Sequence, residues 1–402
     1  MRPFTHTIPF TEALRRVLEA VVPIERTEVL GIGEADGRVA AEDVTALADV
    51  PPFDRAAMDG YAVRAQDTTG AAADDVRALT CLGQVLAGQV PARDLNPGEC
   101  IEIATGAPMP RGADAVVMVE RTRREGDLVQ VLAAAAAGQH IGRRGADLAA
   151  GQRAIAAGDV LSPARVGALA AVGRTDVSVF ARPSVALLST GNELAEPGAP
   201  LGPGQIYDVN RFTIDAVVRR HGGVASSLPA AADVISMLAA ALLEAAASHD
   251  IILSSGGSSV GERDLMLDAL ARTGEVIFHG IAVKPGKPTL FGRIGRTAVF
   301  GMPGNPTSCL SNAYMLLVPF LRATARLPPW TPRRMRLPLG RRIVSPAGRH
   351  QFYMVRIEDG QAMPAFKGSG DITSLAEADG YLEIPADTDT VEAGTEVEVT
   401  FF

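Results

Sequence analysis

The sequence has little of what disulfide-bonded, zinc-binding and membrane proteins are built from. Its 402 residues include three cysteines, Cys81, Cys100 and Cys309, which lie far apart and form no CxxC pair. The six histidines form no HExxH motif, and no run of 18 apolar residues occurs. These absences argue against a zinc site, a disulfide framework and a membrane span. The N-terminal residues contain no apolar signal segment, so we expect a cytoplasmic protein.

Positive charge is also scarce. The formal net charge is −8 and the isoelectric point is near 5.4, which disfavours a general binder of nucleic acid or of anionic membranes. Only three of the 38 basic residues are lysine, namely Lys284, Lys287 and Lys367. Because arginine stands at nearly every other basic position, these lysines mark places where a compact ammonium group is needed.

The length and the 47% hydrophobic content predict two to four domains with sizeable cores. We expect a multidomain α/β plus β protein: a discontinuous, helical linker domain (1–50 and 145–178), an inserted small β domain (51–144), a central α/β domain with a mostly parallel sheet (179–327) and a C-terminal β-barrel-like domain (328–402). Thr11, Ser162 and Asp233 are the predicted helix caps.

Four loops of the α/β part carry residues suited to binding an anion. They are "LLSTGNEL" (187–194), "SSGGSSVGERD" (254–264), "HGIAVKPGKPTLFG" (279–292) and "VFGMPGNPTSC" (299–309). Taken singly, each has a structural reading as a turn, a surface loop, a pair of solvated lysines or a strand-to-helix junction. Two of the loops directly follow buried strands, and ligands of parallel sheets bind beyond the carboxyl ends of the strands.

Several aspartates lie in turn-like contexts: Asp59, Asp147, Asp208 and Asp264. Aspartate in a turn usually bonds its own backbone, but beside anion-binding loops these carboxylates indicate a divalent metal that bridges carboxylates and phosphates. The residues alone therefore predict a protein that binds an anionic, phosphorylated ligand with the help of a metal.

The segments "PPFDRAAMDGYAV", "ATGAPMPRGADAVVMVE", "STGNEL", "SSGGSSVGERD", "VKPGKP" and "MPGNP" occur in this order. In this the chain resembles the molybdenum insertase family, the molybdopterin molybdenumtransferases, which includes the C-terminal domain of gephyrin. The resemblance implies a MogA-like central domain and an elongated homodimer. It also implies a reaction in which adenylylated molybdopterin and molybdate give molybdenum cofactor and AMP, assisted by Mg²⁺. Further implied partners are the adenylyltransferase that makes the substrate and molybdoenzyme chaperones.

The same resemblance assigns roles to individual residues. The implied catalytic residues are Asp59, Asp147, Asp264, Lys284 and Lys287. The implied metal ligands are Glu193 and Asp264. The implied substrate-binding residues are Thr105, Thr190, Gly191, Glu193, Asp208, Gly256, Gly257, Ser259, Gly261, Pro303, Asn305, Pro306, Ser308 and Ser369. Of these, Asp59, Thr105 and Asp147 match positions that reach in from the partner subunit.

Two other functions remain open at this point. One is the adenylyltransferase activity itself, which is usual in a short stand-alone α/β protein, and the other is a non-catalytic pterin-binding scaffold. The sequence also departs from the family at Gly142 and Met354, where arginine is expected, and at Ala146, where glutamate is common.

Overall fold

The computed structural model describes residues 7–229, 234–256, 264–345, 348–365, 368 and 370–402. The chain divides into two compact units, one formed by residues 1–28 and 180–402 and the other by residues 29–179. Within the described residues, no helix combines the length and the apolar character needed to cross a membrane.

The first helix, α1 (Phe10–Glu19), belongs to the unit that contains residues 180–402. Ala13 and Val17, four residues apart on one helix face, are fully buried in the main core of that unit. The helix begins one residue before the predicted cap Thr11, with Pro9 at the N-cap. The sequence grouped α1 with residues 145–178, whereas the structure packs it in the other unit. The domain boundaries themselves stay a prediction.

The unit of residues 29–179 consists mainly of short strands. In chain order they are β1 (Thr27–Gly31), β2 (Val44–Thr45), β3 (Arg55–Ala56), β4 (Gly60–Val63), β5 (Arg77–Val85), β6 (Glu99–Ile103), β7 (Ala115–Met118), β8 (Thr122–Glu125), β9 (Leu128–Val131), β10 (Ile141–Gly142), β11 (Arg153–Ile155) and β12 (Asp176–Phe180). Strands β4 to β9 form one sheet in the order β7-β4-β6-β5-β9-β8, and β1, β2 and β3 pair with β12, β11 and β10. The helix α2 (Pro163–Ala171) begins after Ser162, whose hydroxyl accepts a hydrogen bond from the Arg165 N–H, as the sequence predicted.

The sheet of this unit brings together two cysteines that are far apart in the sequence. Cys81 on β5 and Cys100 on β6 are register partners on neighbouring parallel strands, and both are buried free thiols. Burial raises the pKa of the Cys100 thiol to about 12. Cys100 is therefore protonated at neutral pH and packs as a small apolar side chain.

The first unit continues with alternating strands and helices. They are β13 (Ser184–Ser189), β14 (Leu194–Ala195), β15 (Ile206–Tyr207), α3 (Asn210–Arg220), β16 (Val224–Ser227), α4 (Ile235–Ser248), β17 (Ile251–Ser255), α5 (Leu265–Thr273), β18 (Glu275–His279), β19 (Val283–Lys284), β20 (Leu290–Ile294), β21 (Thr297–Met302), α6 (Pro306–Asn312), a π-helical turn (Ala313–Leu317) and α7 (Val318–Thr324). Asp233, the predicted cap of α4, lies outside the described residues.

The six-stranded sheet has the order β16-β13-β17-β21-β20-β18, with the first four strands parallel and the last two antiparallel. The mostly parallel sheet predicted from the sequence is therefore confirmed. Its central strands carry runs of apolar residues because both faces are covered. Val185, Leu187 and Ile251 face one core, while Ala186 and Leu188 face the other.

The C-terminal part is a β domain. Its elements are β22 (Arg334–Pro338), β23 (Ile343–Val344), β24 (His350–Glu358), β25 (Gln361–Pro364), α8 (Thr373–Ala376), β26 (Gly380–Ile384), β27 (Thr390–Val391) and β28 (Glu396–Phe401). The main sheet has the order β19-β24-β26-β28-β22, and β25 pairs with β24. Since β19 comes from the α/β part of the chain, this sheet joins the C-terminal domain directly to the lysine-containing loop.

His221, directly after α3, predicts a pH dependence of stability. The ring is 3% exposed, packs edge-on against Tyr314 and Trp330, and has no hydrogen-bond partner within the described residues. Burial, aided by the charges of Arg322 and Arg220, lowers the pKa of His221 from 6.5 to about 4.

Between these two pH values the unfolded chain binds the proton that the folded chain excludes. The free energy of unfolding therefore falls as the pH drops from 6.5 towards 4, by about 2 kcal/mol at pH 5. We expect His221→Phe to remove this component, measured by urea unfolding of both proteins at pH 7 and pH 5. Equal losses of stability in the two proteins would contradict the assignment.

Candidate functional site

The carboxyl ends of three neighbouring parallel strands form the floor of the site. β13, β17 and β21 lead into Thr190, Gly256 and Pro303. The Thr190 N–H donates to the carbonyl oxygen of Ser255 (3.1 Å), and the Gly256 N–H donates to that of Met302 (3.4 Å). The first residues of three loops predicted from the sequence to bind an anion are thus joined by backbone hydrogen bonds.

Gly256 is required at this junction. Its φ is +92°, and a Cβ atom on it would lie 2.3 Å from the carbonyl oxygen of Thr190. No side chain fits there unless the backbone moves. Gly256 therefore lets two strand ends approach each other.

A cavity of about 1120 Å³ opens above this floor, large enough for a nucleotide-sized ligand. Its wall contains these residues predicted from the sequence: Thr190, Glu193, Asp208, Gly256, Lys284, Lys287, Pro303, Asn305, Pro306 and Ser308. The structure therefore brings together residues of four loops that are spread over 119 residues of the chain (190 to 308 inclusive).

The two lysines lie on one short turn. Lys284 ends β19, and Pro285 and Gly286 separate it from Lys287. Both lysines are half-buried and line the cavity. Two ammonium groups on one turn form charge-assisted hydrogen bonds with an oxyanion.

The C-terminal β domain completes the wall of the cavity. Arg349, Gly368, Gly370 and Ile372 line it. At the start of α6 the Thr307 hydroxyl donates to the carbonyl oxygen of Asp371 (2.8 Å), which holds the two parts of the chain together. Arg349 adds a third positive charge to the cavity, and the sequence analysis did not single it out.

The two carboxylates of the cavity differ in their environments. Asp208 is buried, and its oxygens accept hydrogen bonds from the Ser189 hydroxyl (2.5 Å) and the Arg211 N–H (3.1 Å). Glu193 is exposed, and its carboxylate lies beside Gly191, whose φ is +136°. Asp208 therefore anchors the start of α3, while Glu193 is exposed on the cavity wall.

Asp264 does not line the cavity. It caps α5, where Oδ1 accepts a hydrogen bond from the Leu267 N–H (3.0 Å) and Oδ2 lies 2.9 Å from Nε2 of His279. Both carboxylate oxygens thus have partners within the protein. The catalytic and metal-binding roles predicted for Asp264 stay predictions.

Asp59, Thr105 and Asp147 belong to the unit of residues 29–179. The Thr105 N–H (2.7 Å) and hydroxyl (2.9 Å) both donate to Oδ1 of Asp59. These bonds, the backbone one first, lower the pKa of Asp59. Asp147 is 68% exposed and lies 4.0 Å from the Arg55 guanidinium. Asp59 and Thr105 form one hydrogen-bonded pair, and Asp147 presents an open carboxylate.

Four predicted substrate-binding residues lie outside the described part of the chain: Gly257, Ser259, Gly261 and Ser369. The neighbours of Ser369, Gly368 and Gly370, line the cavity.

The donor set limits how a metal could be held. Among the described residues there is no group of three or more histidine, cysteine, aspartate or glutamate side chains arranged to bind one. Magnesium needs no such group, because it commonly binds through one or two carboxylates together with substrate phosphates and water. The exposed carboxylate of Glu193 in the cavity fits that mode.

One departure from the family pattern has a local structural reason. Met354 is 1% exposed in the main core of the unit that contains residues 180–402, a position that would bury an arginine. Beside Gly142, Arg143 and Arg144 form ion pairs with Asp54 (2.8 Å) and Asp49 (2.5 Å). These two arginines are therefore engaged with carboxylates of the protein.

Three family models match the chain in succession. The MoeA N-terminal region (domain I and II) matches residues 8–173, the probable molybdopterin binding domain matches residues 186–323, and the MoeA C-terminal region (domain IV) matches residues 336–402.

Similar proteins extend over the whole chain. Molybdopterin molybdenumtransferase 2 of Mycobacterium tuberculosis is 37% identical over 396 residues, which is 96% of this chain and 97% of that protein. The molybdopterin molybdenumtransferase of Haemophilus influenzae is 32% identical over 400 residues, covering 97% and 98% of the two chains. The crystal structure of the molybdopterin biosynthesis MoeA protein from Pyrococcus horikoshii aligns with a TM-score of 0.84 at 33% identity, over 99% of this chain and 100% of that chain.

Proposed function

Because the chain belongs to the molybdopterin molybdenumtransferase (MoeA) family, we propose that it inserts molybdenum into molybdopterin. The substrates are adenylylated molybdopterin and molybdate, and the products are molybdenum cofactor and AMP. The observation that carries the proposal is the gathering of Lys284 and Lys287 with the strand-end loops around one cavity. Such a cavity suits a ligand that carries both an oxyanion and a phosphorylated nucleotide.

Different residues of the cavity bind different parts of the substrates. Lys284 and Lys287 hold molybdate, since ammonium groups neutralise the charge of an oxyanion. Thr190 and Gly256 on the strand-end floor, with Asn305 and Ser308, bind the pterin phosphate and the nucleotide. Cleavage of the adenylyl phosphate builds negative charge on its oxygens, and nearby fixed positive charge stabilises that transition state.

Magnesium is part of the proposal. A bound magnesium ion would supply charge neutralisation during release of AMP. Glu193 is the cavity residue whose exposed carboxylate fits such an ion. The further assignment of Asp264 rests on the family resemblance.

The assembly is also part of the proposal. We expect a homodimer in which Asp59, Thr105 and Asp147 of one subunit approach the cavity of the other, and a cytoplasmic location. This assignment rests on the family resemblance, together with the open carboxylate of Asp147.

The two alternative functions are less well supported. An adenylyltransferase needs only the α/β part, whereas the molybdenumtransferases of Mycobacterium tuberculosis and Haemophilus influenzae match 96% and 97% of this chain. A scaffold needs no lysine pair in its binding cavity.

The test is release of AMP from adenylylated molybdopterin by the purified full-length protein. We expect release that requires both molybdate and Mg²⁺, measured by separating the nucleotides chromatographically. Consumption of ATP with molybdopterin would instead show an adenylyltransferase. Binding of adenylylated molybdopterin without any release of AMP would support the non-catalytic scaffold.

A further inference from the structure

A buried side-chain amide supports the turn of residues 284–287, which carries the two lysines and is called here the lysine turn. The carbonyl oxygen of Gly286, midway between Lys284 and Lys287, accepts hydrogen bonds from Nδ2 of Asn312 (2.9 Å) and from the Thr289 hydroxyl (2.8 Å). Nδ2 of Asn312 also donates to Oγ1 of Thr289 (2.5 Å). These three groups form a closed triangle in which both amide hydrogens are used.

This triangle is wholly inside the protein. The side chains of Asn312 and Thr289 are both 0% exposed. Gly286 has a φ of +105°, and a Cβ atom on it would lie 2.4 Å from the side-chain amide of Asn312. The turn therefore rests directly on Asn312, with no space for another side chain between them.

Asn312 is an unusual residue for its place. It ends α6 and is followed by a fully buried segment, Ala313–Leu317. A buried amide is tolerated where it is hydrogen-bonded. Here only the Nδ2 donors are used, because Oδ1 of Asn312 has no partner within the described residues. Asn312 Nδ2 donates to the carbonyl oxygen of Gly286 in the lysine turn and to Oγ1 of Thr289.

The ends of the turn are held by backbone hydrogen bonds. The carbonyl oxygen of Lys287 accepts hydrogen bonds from the N–H groups of Ile281 (3.0 Å) and Thr289 (2.9 Å). Lys284 lies on β19, in register with Gln351 of β24. With both ends held in this way, the buried amide determines the position of the middle of the turn.

We propose that Asn312 and Thr289 are positioning residues that set the separation of Lys284 and Lys287 and thereby the affinity for a tetrahedral oxyanion. The inference deepens the proposed function and rests on it for the identity of the oxyanion, molybdate. Neither residue lines the cavity, so both act through the turn.

The experiment compares isosteric variants of the full-length protein. Asn312→Leu keeps the branching of the side chain, Thr289→Val keeps its shape, and both remove the hydrogen bonds, whereas Thr289→Ser keeps the hydroxyl. The matched control is Ser311→Ala, because the Ser311 hydroxyl is buried and has no hydrogen-bond partner within the described residues. Binding of inorganic molybdate is measured by calorimetry, and the KM values for molybdate and for adenylylated molybdopterin are measured from AMP release.

We expect Asn312→Leu and Thr289→Val to weaken molybdate binding and to raise its KM by about tenfold or more, with the KM for adenylylated molybdopterin changed less than about twofold. Thr289→Ser and Ser311→Ala should behave like the wild type. A uniform structural defect would instead change both KM values together. If Asn312→Leu fails to fold, the comparison of Thr289→Val with Thr289→Ser tests the same inference.

The outcomes separate this inference from the proposed function. Normal molybdate binding in Asn312→Leu and Thr289→Val, with active wild type, would overturn the inference and leave the proposed function intact. Molybdate binding that is lost in the variants, with no AMP release by the wild type, would support the positioning role and refute the insertase reaction. A wild type that does not bind molybdate would overturn both.

Discussion

Replacing Lys284 and Lys287 together with alanine is expected to reduce molybdate-dependent AMP release by at least about 100-fold. Hydrogen bonds to charged groups are worth about 1.5–3 kcal/mol each, and about 1.4 kcal/mol corresponds to a factor of ten. Both lysines line the cavity on one turn, and among the described residues no other lysine lines it. The measurement is the rate of AMP release at saturating adenylylated molybdopterin over a range of molybdate concentrations.

A matched control removes the same charge elsewhere. Arg272 and Arg296 are exposed and do not line the cavity, so Arg272→Ala with Arg296→Ala should leave the rate within about twofold. The double variant Lys284→Arg with Lys287→Arg keeps the charge but replaces two compact ammonium groups with wider, planar guanidinium groups. We expect it to lose most of the activity. Full activity of the alanine double variant would show that the lysines are solvated surface residues.

Gly256→Ala is expected to disrupt the floor of the cavity. The new Cβ atom would meet the carbonyl oxygen of Thr190 at 2.3 Å in a residue with a φ of +92°. The left-handed conformation alone costs about 1–2 kcal/mol for a residue with a side chain, and the displaced Thr190 backbone adds to that cost. We expect a KM for adenylylated molybdopterin raised by more than tenfold and a lower midpoint of thermal unfolding.

Gly198→Ala is the control for this variant. Gly198 has nearly the same φ, +93°, but a Cβ atom on it meets nothing within 4 Å. It therefore shares the conformational cost and lacks the collision. Equal effects of the two substitutions on the KM would show that the close approach of Gly256 to Thr190 has no part in substrate binding.

The alternation of strands and helices after residue 183 was readable from the sequence. The apolar runs of β13, β17 and β21 are buried on both faces, and such runs indicate a parallel sheet covered by helices. The start of α2 was equally readable, since Ser162 followed by Pro163 is a strong local signal. These features are determined by residues that lie close together in the sequence.

The position of α1 was not readable in this way. Its stripe of Ala13 and Val17 predicts a helix with one buried face, but the stripe does not say which core covers it. The pairing of Cys81 with Cys100 is a similar case, because strand register depends on the whole sheet.

For the site, the sequence by itself predicted residues that the structure brings to the wall of one cavity. The scarcity of lysine singled out Lys284 and Lys287, and the glycine- and proline-rich strand ends identified the loops around them. What only the tertiary structure decided is how those residues are held and what joins them. Asn312 beneath the lysine turn and Arg349 on the cavity wall come from distant segments. Each of these two side chains meets its neighbours only after distant segments have packed together. A local pattern of residues does not encode such long-range contacts.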